Sequence, residues 1–259
     1  MITNKKKNPL VSIIVCTNNS ELTIMDAMQS IKIQEYKYYE VIIIDNNSND
    51  NTVQIIKDCK FSNIKFFKLS GGGLYRAINK GIIISNGEII SILHSDDFYY
   101  DKFVLFNVVK AFKNKKIDIV YGDLLYVKKK KKNEILRKWR SNTFKKKSFL
   151  SGWSPAHPAF FCKKKTYIAG KLYKTNIGNS ADIELMYRYL EIIGFKSKYI
   201  KNFLVVMRYG GMSNNSVKKI ILQNVEILKF LKIHKKPSAI ANYIVRKLIN
   251  RFMQFLEAR

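Results

Sequence analysis

A chain of 259 residues with 47% hydrophobic and 13% aromatic side chains suits one large α/β domain and can bury a substantial core. Its 47 basic against 19 acidic residues give a net charge of +28, which calls for an anionic partner: nucleic acid, a phosphorylated substrate or an anionic membrane surface. Three scattered cysteines (Cys16, Cys59 and Cys162) without CxxC spacing argue against a disulfide framework, and no apolar run approaches the roughly 18 residues of a spanning helix.

The polar opening, with Lys5, Lys6 and Lys7, is not expected to be an export signal. Residues 10–16 (LVSIIVC) read as a buried strand, ended by the polar run Thr17-Asn18-Asn19-Ser20. Helical spacing follows over 21–33, then a strand at 40–44 (EVIII) broken by Asp45-Asn46-Asn47-Ser48-Asn49-Asp50. A short helix at 52–59 and a strand at 64–69 precede Gly71-Gly72-Gly73, which opens a helix to about residue 84. The strand at 88–93 (EIISIL) stops at His94-Ser95-Asp96-Asp97. Near-continuous apolar strands alternating with helices predict a mostly parallel, Rossmann-like sheet with helices on both faces. Ligands of such sheets bind beyond the carboxyl ends of the strands, where three of these polar clusters stand.

Residues 101–113 look helical, and 117–121 and 124–127 look like strands around Gly122-Asp123. Five lysines run from 128 to 132, and eleven basic residues against one acidic fill 128–147. Residues 149–162 form an irregular aromatic loop running into a short strand. A helix is expected at 181–193 and a last strand at 203–208, before Gly210-Gly211. Beyond Ser213, residues 217–233 and 240–256 read as amphipathic helices; the second carries Ile240, Ile244, Leu248, Phe252 and Leu256 at i+4 spacing.

Most of these clusters allow two readings. Asp96 and Asp97 at the end of a buried strand would repel each other unless a hard divalent cation with a diphosphate sat there; alternatively one caps the next helix. The Asp45–Asn51 run either hydrogen-bonds a base and ribose or forms a turn and cap. The triple glycine fails the dinucleotide fingerprint, because Arg76 stands at its third glycine position, and is left as a flexible loop near phosphate. Asp182 is either a general base or a helix-terminal charge that complements the dipole. His157, between Pro155 and Pro158, suits a packed, hydrogen-bonded histidine.

The order VSIIVCTNN, VIIIDNNSNDNT, GGGLYRAINKG, GEIISILHSDD, SPAHPAFF, SADIELMYRYL, RYGGMS resembles the family 2 glycosyltransferases, and within them the small bacterial enzymes of O-antigen and exopolysaccharide synthesis. The resemblance covers roughly residues 9–214 and implies a GT-A fold and an inverting transfer that depends on Mn²⁺ or Mg²⁺. It gives Thr17 a nucleobase contact and Asp45, Asn46 and Ser48 the uracil and ribose contacts, with Asn46 in place of a second carboxylate. Asn19 and Arg76 join the nucleotide-sugar set. His94 stands where an aspartate is common, leaving Asp96 to contact ribose and metal and Asp97 to hold the metal. Asp182 inherits the role of base. Trp153, His157 and Arg208 fall in segments lining the acceptor and phosphate side.

The resemblance further implies a UDP-hexose donor (glucose or galactose) and a sugar on a polyprenyl diphosphate as acceptor. The enzyme is then expected in the cytoplasm, at the anionic inner face of the membrane, and not on nucleic acid. Residues 1–100 would form the nucleotide-sugar half, 101–215 the acceptor half, and 216–259 a basic helical extension that lies in the interface, packs on the domain or pairs with a second copy. A nucleic-acid-binding protein and a non-catalytic nucleotide-sugar binder are the competing classes.

Overall fold

The computed structural model describes residues 8–129, 131–210 and 217–258; the lysines at the start, and residues 211–213 of the predicted glycine turn, lie outside them. The first half alternates as its apolar pattern dictates: β1 (Val11–Thr17), α1 (Ile24–Lys32), β2 (Tyr39–Asp45), α2 (Thr52–Asp58), β3 (Ile64–Lys68), α3 (Gly73–Ile84) and β4 (Ile89–His94). The second half is β5 (Phe98–Tyr99), α4 (Val104–Phe112), β6 (Ile119–Lys128), β7 (Lys131–Trp139), β8 (Phe160–Lys163), α5 (Lys164–Gly170), α6 (Ala181–Tyr187), β9 (Ser197–Arg208), α7 (Val217–Phe230) and α8 (Pro237–Leu256).

Among the described residues one sheet runs in the order β3-β2-β1-β4-β8-β6-β9-β5, with β7 hairpinned onto β6. β3, β2, β1 and β4 are parallel; β8 joins β4 and β6 antiparallel, and β9 runs parallel to β6. Every residue of β1 is buried, because helices cover both faces of the sheet. Alternation divides its side chains: Val11, Ile13 and Val15 pack with α1 and α4, while Ile14 and Cys16 pack with α3.

The register places Thr17 opposite Asp45 and Cys16 opposite His94, so three polar strand ends finish side by side. Residues 119–128 form one strand rather than the two expected. Its register shifts at Gly122-Asp123, where Leu204 and the Asn202 carbonyl press so closely that a β-carbon would lie 2.6–2.8 Å from them. Of the lysine run, Lys128 ends β6, and Lys131 and Lys132 begin β7. The helix expected over 181–193 is α6 continued by a wider turn, Arg188–Ile193. The two C-terminal helices form as expected, and α8 lies against β7 and the short helical turn at Ser148–Ser151.

Candidate active site

The β1 and β2 ends are knitted into one unit around Asp45, which is fully buried. Its Oδ1 accepts from Thr17 Oγ1 (2.9 Å) and Ser48 Oγ (2.5 Å), and its Oδ2 accepts from the Ser48 backbone N–H (3.1 Å). The Asn46 N–H donates to the Thr17 carbonyl (2.8 Å), and the Asn19 N–H donates to Ser48 Oγ (3.0 Å). Asn19 and Asn47 adopt positive φ (48° and 60°), a conformation asparagine tolerates better than most residues. The Asn46 side-chain oxygen is buried and makes no hydrogen bond, an unfilled acceptor in an otherwise satisfied cluster. The sequence therefore brings Thr17, Asn19, Asp45, Asn46 and Ser48 together.

This unit is tied to the β4 end by a 2.7 Å hydrogen bond between the Ser20 and Ser95 hydroxyls. There the chain turns, with the Asp97 N–H donating to the His94 carbonyl (3.0 Å). Asp97 is wholly buried, and neither carboxylate oxygen has a hydrogen-bond partner. Burial, and then the Asp96 charge, push its carboxyl well above the usual range, and the Arg208 charge pulls it only partly back. A buried carboxylate left this way is costly unless a cation shares it, and Asp96 beside it supplies further oxygen donors. The pair therefore fits a hard divalent ion. Among the described residues no third His, Cys, Asp or Glu joins the pair.

Arg208 holds this turn from below and is not part of the cavity lining. Its guanidinium donates to the Asp96 carbonyl (2.6 Å), pairs with Asp26 of α1 and stacks on Phe98. Arg208→Ala is expected to cost roughly 3 kcal/mol in chemical denaturation, the low end for breaking a buried pair because Lys132 still neutralises Asp26; Arg208→Lys should recover part of it.

A cavity of about 350 Å³ joins His94, at the end of β4, with Tyr75, Trp153, His157 and Asp182. Asp182 opens α6, accepting the Ile183 N–H at 2.7 Å. Burial raises its carboxyl to about 6, against the stabilising Ile183 and Asp182 N–H groups, the Lys247 charge and the Tyr75 hydroxyl. A carboxylate with that affinity for protons, facing a cavity, suits a general base near neutral pH. His157 is buried and shares a 2.8 Å hydrogen bond with the Tyr173 hydroxyl; burial and the neighbouring His94 lower it to about 3, so it stays neutral. Trp153 donates its indole N–H to the Ser141 carbonyl (2.5 Å).

The remaining wall was not anticipated. Arg137 of β7 and Lys247 and Arg251 of α8 face the same cavity, with Asn224 of α7 beside them. Their signal was the basic bias of 128–147 and of the C-terminal helices, which composition alone could not direct inward. Arg76 stands apart: it is exposed on α3 and folds over Gly72, whose β-carbon would meet it at 2.3 Å. Gly71, Gly72 and Gly73 all have φ between 76° and 101°, so this loop requires glycine.

Residues 12–172 match the family model for glycosyl transferase family 2. The poly-β-1,6-N-acetyl-D-glucosamine synthase of Staphylococcus epidermidis is 34% identical over 113 residues, 43% of this chain and 27% of that protein. A PGL/p-HBAD biosynthesis glycosyltransferase of Mycobacterium bovis is 22% identical over 263 residues, 93% of this chain and 96% of the other. The chain spans only 17% and 36% of two Rickettsia glycosyltransferases that it also matches. Among solved structures, S. aureus TarS 1–349 with UDP-GlcNAc superposes with a TM-score of 0.64 at 18% identity, covering 91% of this chain and 72% of TarS. The mannosyltransferase PcManGT of Pyrobaculum calidifontis, with GDP-Man and Mn²⁺, gives 0.65 at 17% identity, covering 98% and 74%. The fold is GT-A, as the resemblance implied.

Proposed function

Because the chain belongs to glycosyl transferase family 2, we propose that it is an inverting hexosyltransferase, taking glucose or galactose from a UDP-sugar to a lipid-linked sugar acceptor in surface-polysaccharide synthesis. The observation that carries this reading is the cavity that joins Asp182 with His94, the last residue of β4, which the Asp96-Asp97 pair follows directly. Thr17, Asp45, Asn46 and Ser48 form the nucleoside floor. The unfilled Asn46 acceptor suits a base N–H, which a second carboxylate would bind more strongly.

Asp96 and Asp97 would hold Mn²⁺ or Mg²⁺, which when bound neutralises charge on the departing diphosphate. Asp182 takes the proton of the acceptor hydroxyl as its oxygen bonds to the anomeric carbon and the bond to UDP breaks on the opposite face. One displacement aided by one base inverts the anomeric centre. The neutral His94 and His157, whose rings lie 5.9 Å apart, form an uncharged wall that keeps water from competing. Arg137, Lys247 and Arg251 supply the positive charge that a phosphate-bearing acceptor needs, and the enzyme would meet that acceptor at the anionic cytoplasmic face of the membrane. No described helix is long and apolar enough to cross a membrane.

The test is a donor panel. Purified protein with Mn²⁺, a hexosaminyl-diphosphate-lipid analogue and UDP-glucose, UDP-galactose, UDP-GlcNAc or GDP-mannose should release nucleotide with one of the two UDP-hexoses. Turnover confined to GDP-mannose or UDP-GlcNAc would overturn the donor assignment.

A further inference from the structure

The helix α8 is turned inside out. Its 20 residues contain no acidic side chain and three basic ones, Arg246, Lys247 and Arg251. A helix packed on a domain ordinarily buries its apolar stripe and shows its polar face to water. Here the polar face is the one that packs. Tyr243 is buried, and the Lys247 backbone and β-carbon press on Gly152, where an added β-carbon would stand 2.7 Å away. Lys247 Nζ donates to Asn224 Oδ1 (2.7 Å), and Gln254 accepts from Arg137 Nε (2.5 Å). The i+4 stripe faces outward: Ile244 is 44% exposed, Leu248 62%, Phe252 63% and Leu256 44%. Val245 and Ile249 widen it at 53% and 55%. So many large apolar side chains on one surface mark a face that something covers.

We infer that this face is covered by an anionic lipid bilayer, with α8 lying in the membrane interface and its inner face walling the acceptor cavity. Charge decides between lipid and a second copy. The chain carries +28, so pairing two copies through a helix whose only charges are positive sets like charges together. Anionic headgroups reverse that sign. Arg246 lies beside the stripe, and Lys145 faces it across a shallow depression also lined by Val245 and Ile249, so cations frame the apolar surface. α7, bonded to α8 through Asn224, exposes Ile221 and Leu222 as well. The inference deepens the lipid-linked acceptor reading and rests on it. One helix seats the enzyme on the bilayer and holds Lys247 and Arg251 at the cavity that such an acceptor enters.

The test is vesicle flotation of the full chain with phosphatidylcholine alone or mixed equally with phosphatidylglycerol. The protein should float with the mixed vesicles only, less as salt rises. The double variant Leu248→Glu/Phe252→Glu should lose at least about tenfold in partitioning, because two large apolar anchors are replaced by charge. Its melting temperature and its UDP release with a water-soluble acceptor should not change, since neither residue lines the cavity. Leu248→Ser/Phe252→Ser should behave alike, with a smaller loss. Three results would overturn the inference: no flotation of the unaltered chain, undiminished flotation of both variants, or a dimer of the unaltered chain that both variants reduce to monomer. Nucleotide release tests the glycosyltransferase reading separately, so failure of one is distinguishable from failure of the other.

Discussion

Asp182→Asn is expected to lower kcat by roughly 10²- to 10⁴-fold while leaving UDP affinity unchanged, the range general-base removal usually covers. The amide has the shape of the carboxylate and keeps an oxygen for the Ile183 N–H that Asp182 accepts at 2.7 Å, so α6 should start as before. It cannot take a proton. The pH dependence follows from the same group. Burial raises Asp182 to about 6, so kcat/KM should fall about tenfold per pH unit below 6 and level off above it. The sign for stability is opposite. A carboxyl raised in the folded state stabilises fully below its unfolded range near 3.9, and that contribution is lost as pH rises through about 6. Asp182→Asn should therefore match or exceed the unaltered chain in melting temperature at pH 7 to 8. Near-normal turnover of this variant would remove Asp182 from the role of base.

Asp97→Asn carries the second large effect. Both oxygens of Asp97 are buried and without hydrogen bonds, and the adjacent Asp96 charge worsens their position. Removing that charge should leave the metal-free protein as stable as before or more so, since an uncompensated buried charge is among the costliest features of a fold. The same change should abolish the rise in melting temperature that Mn²⁺ gives with UDP, and reduce turnover by roughly 10³-fold, as expected when electrostatic support for a departing diphosphate is lost. Differential scanning fluorimetry with and without Mn²⁺ reads the first effect, and UDP release reads the second. A variant that kept its Mn²⁺-dependent shift would put the cation elsewhere.

The parts of the fold legible in the sequence were those whose signal is local. β1, β2 and β4 are continuous apolar runs ended by polar clusters, which is how a doubly covered parallel strand must read. β6 was divided because Gly122-Asp123 looks like a break. The strand continues because the buried Asp123 carboxylate is satisfied from elsewhere, by Arg140 (2.8 Å), the Ser141 N–H (2.9 Å) and the Tyr199 hydroxyl (2.8 Å). β5, two residues long, and α5 were not read at all; each is held by its neighbours rather than by a periodic pattern.

The site shows the same division. The floor around Asp45 was readable because its partners lie on adjacent strand ends. Arg208 was not, because its partner Asp26 is 182 positions away. The i+4 stripe of α8 was visible in sequence, but not the direction it faces. Tyr243, Lys247 and Gln254 turn inward because Asn224 and Arg137 await them there, and no local pattern carries that information.

The measurement closest to the central claim is the anomeric configuration of the product from the donor panel, read by proton NMR coupling constants. A single displacement assisted by Asp182 in the cavity it shares with His94 predicts that an α-linked UDP-hexose yields a β-linked product. An α-linked product would mean a second displacement or a different attacking face, and would contradict the account.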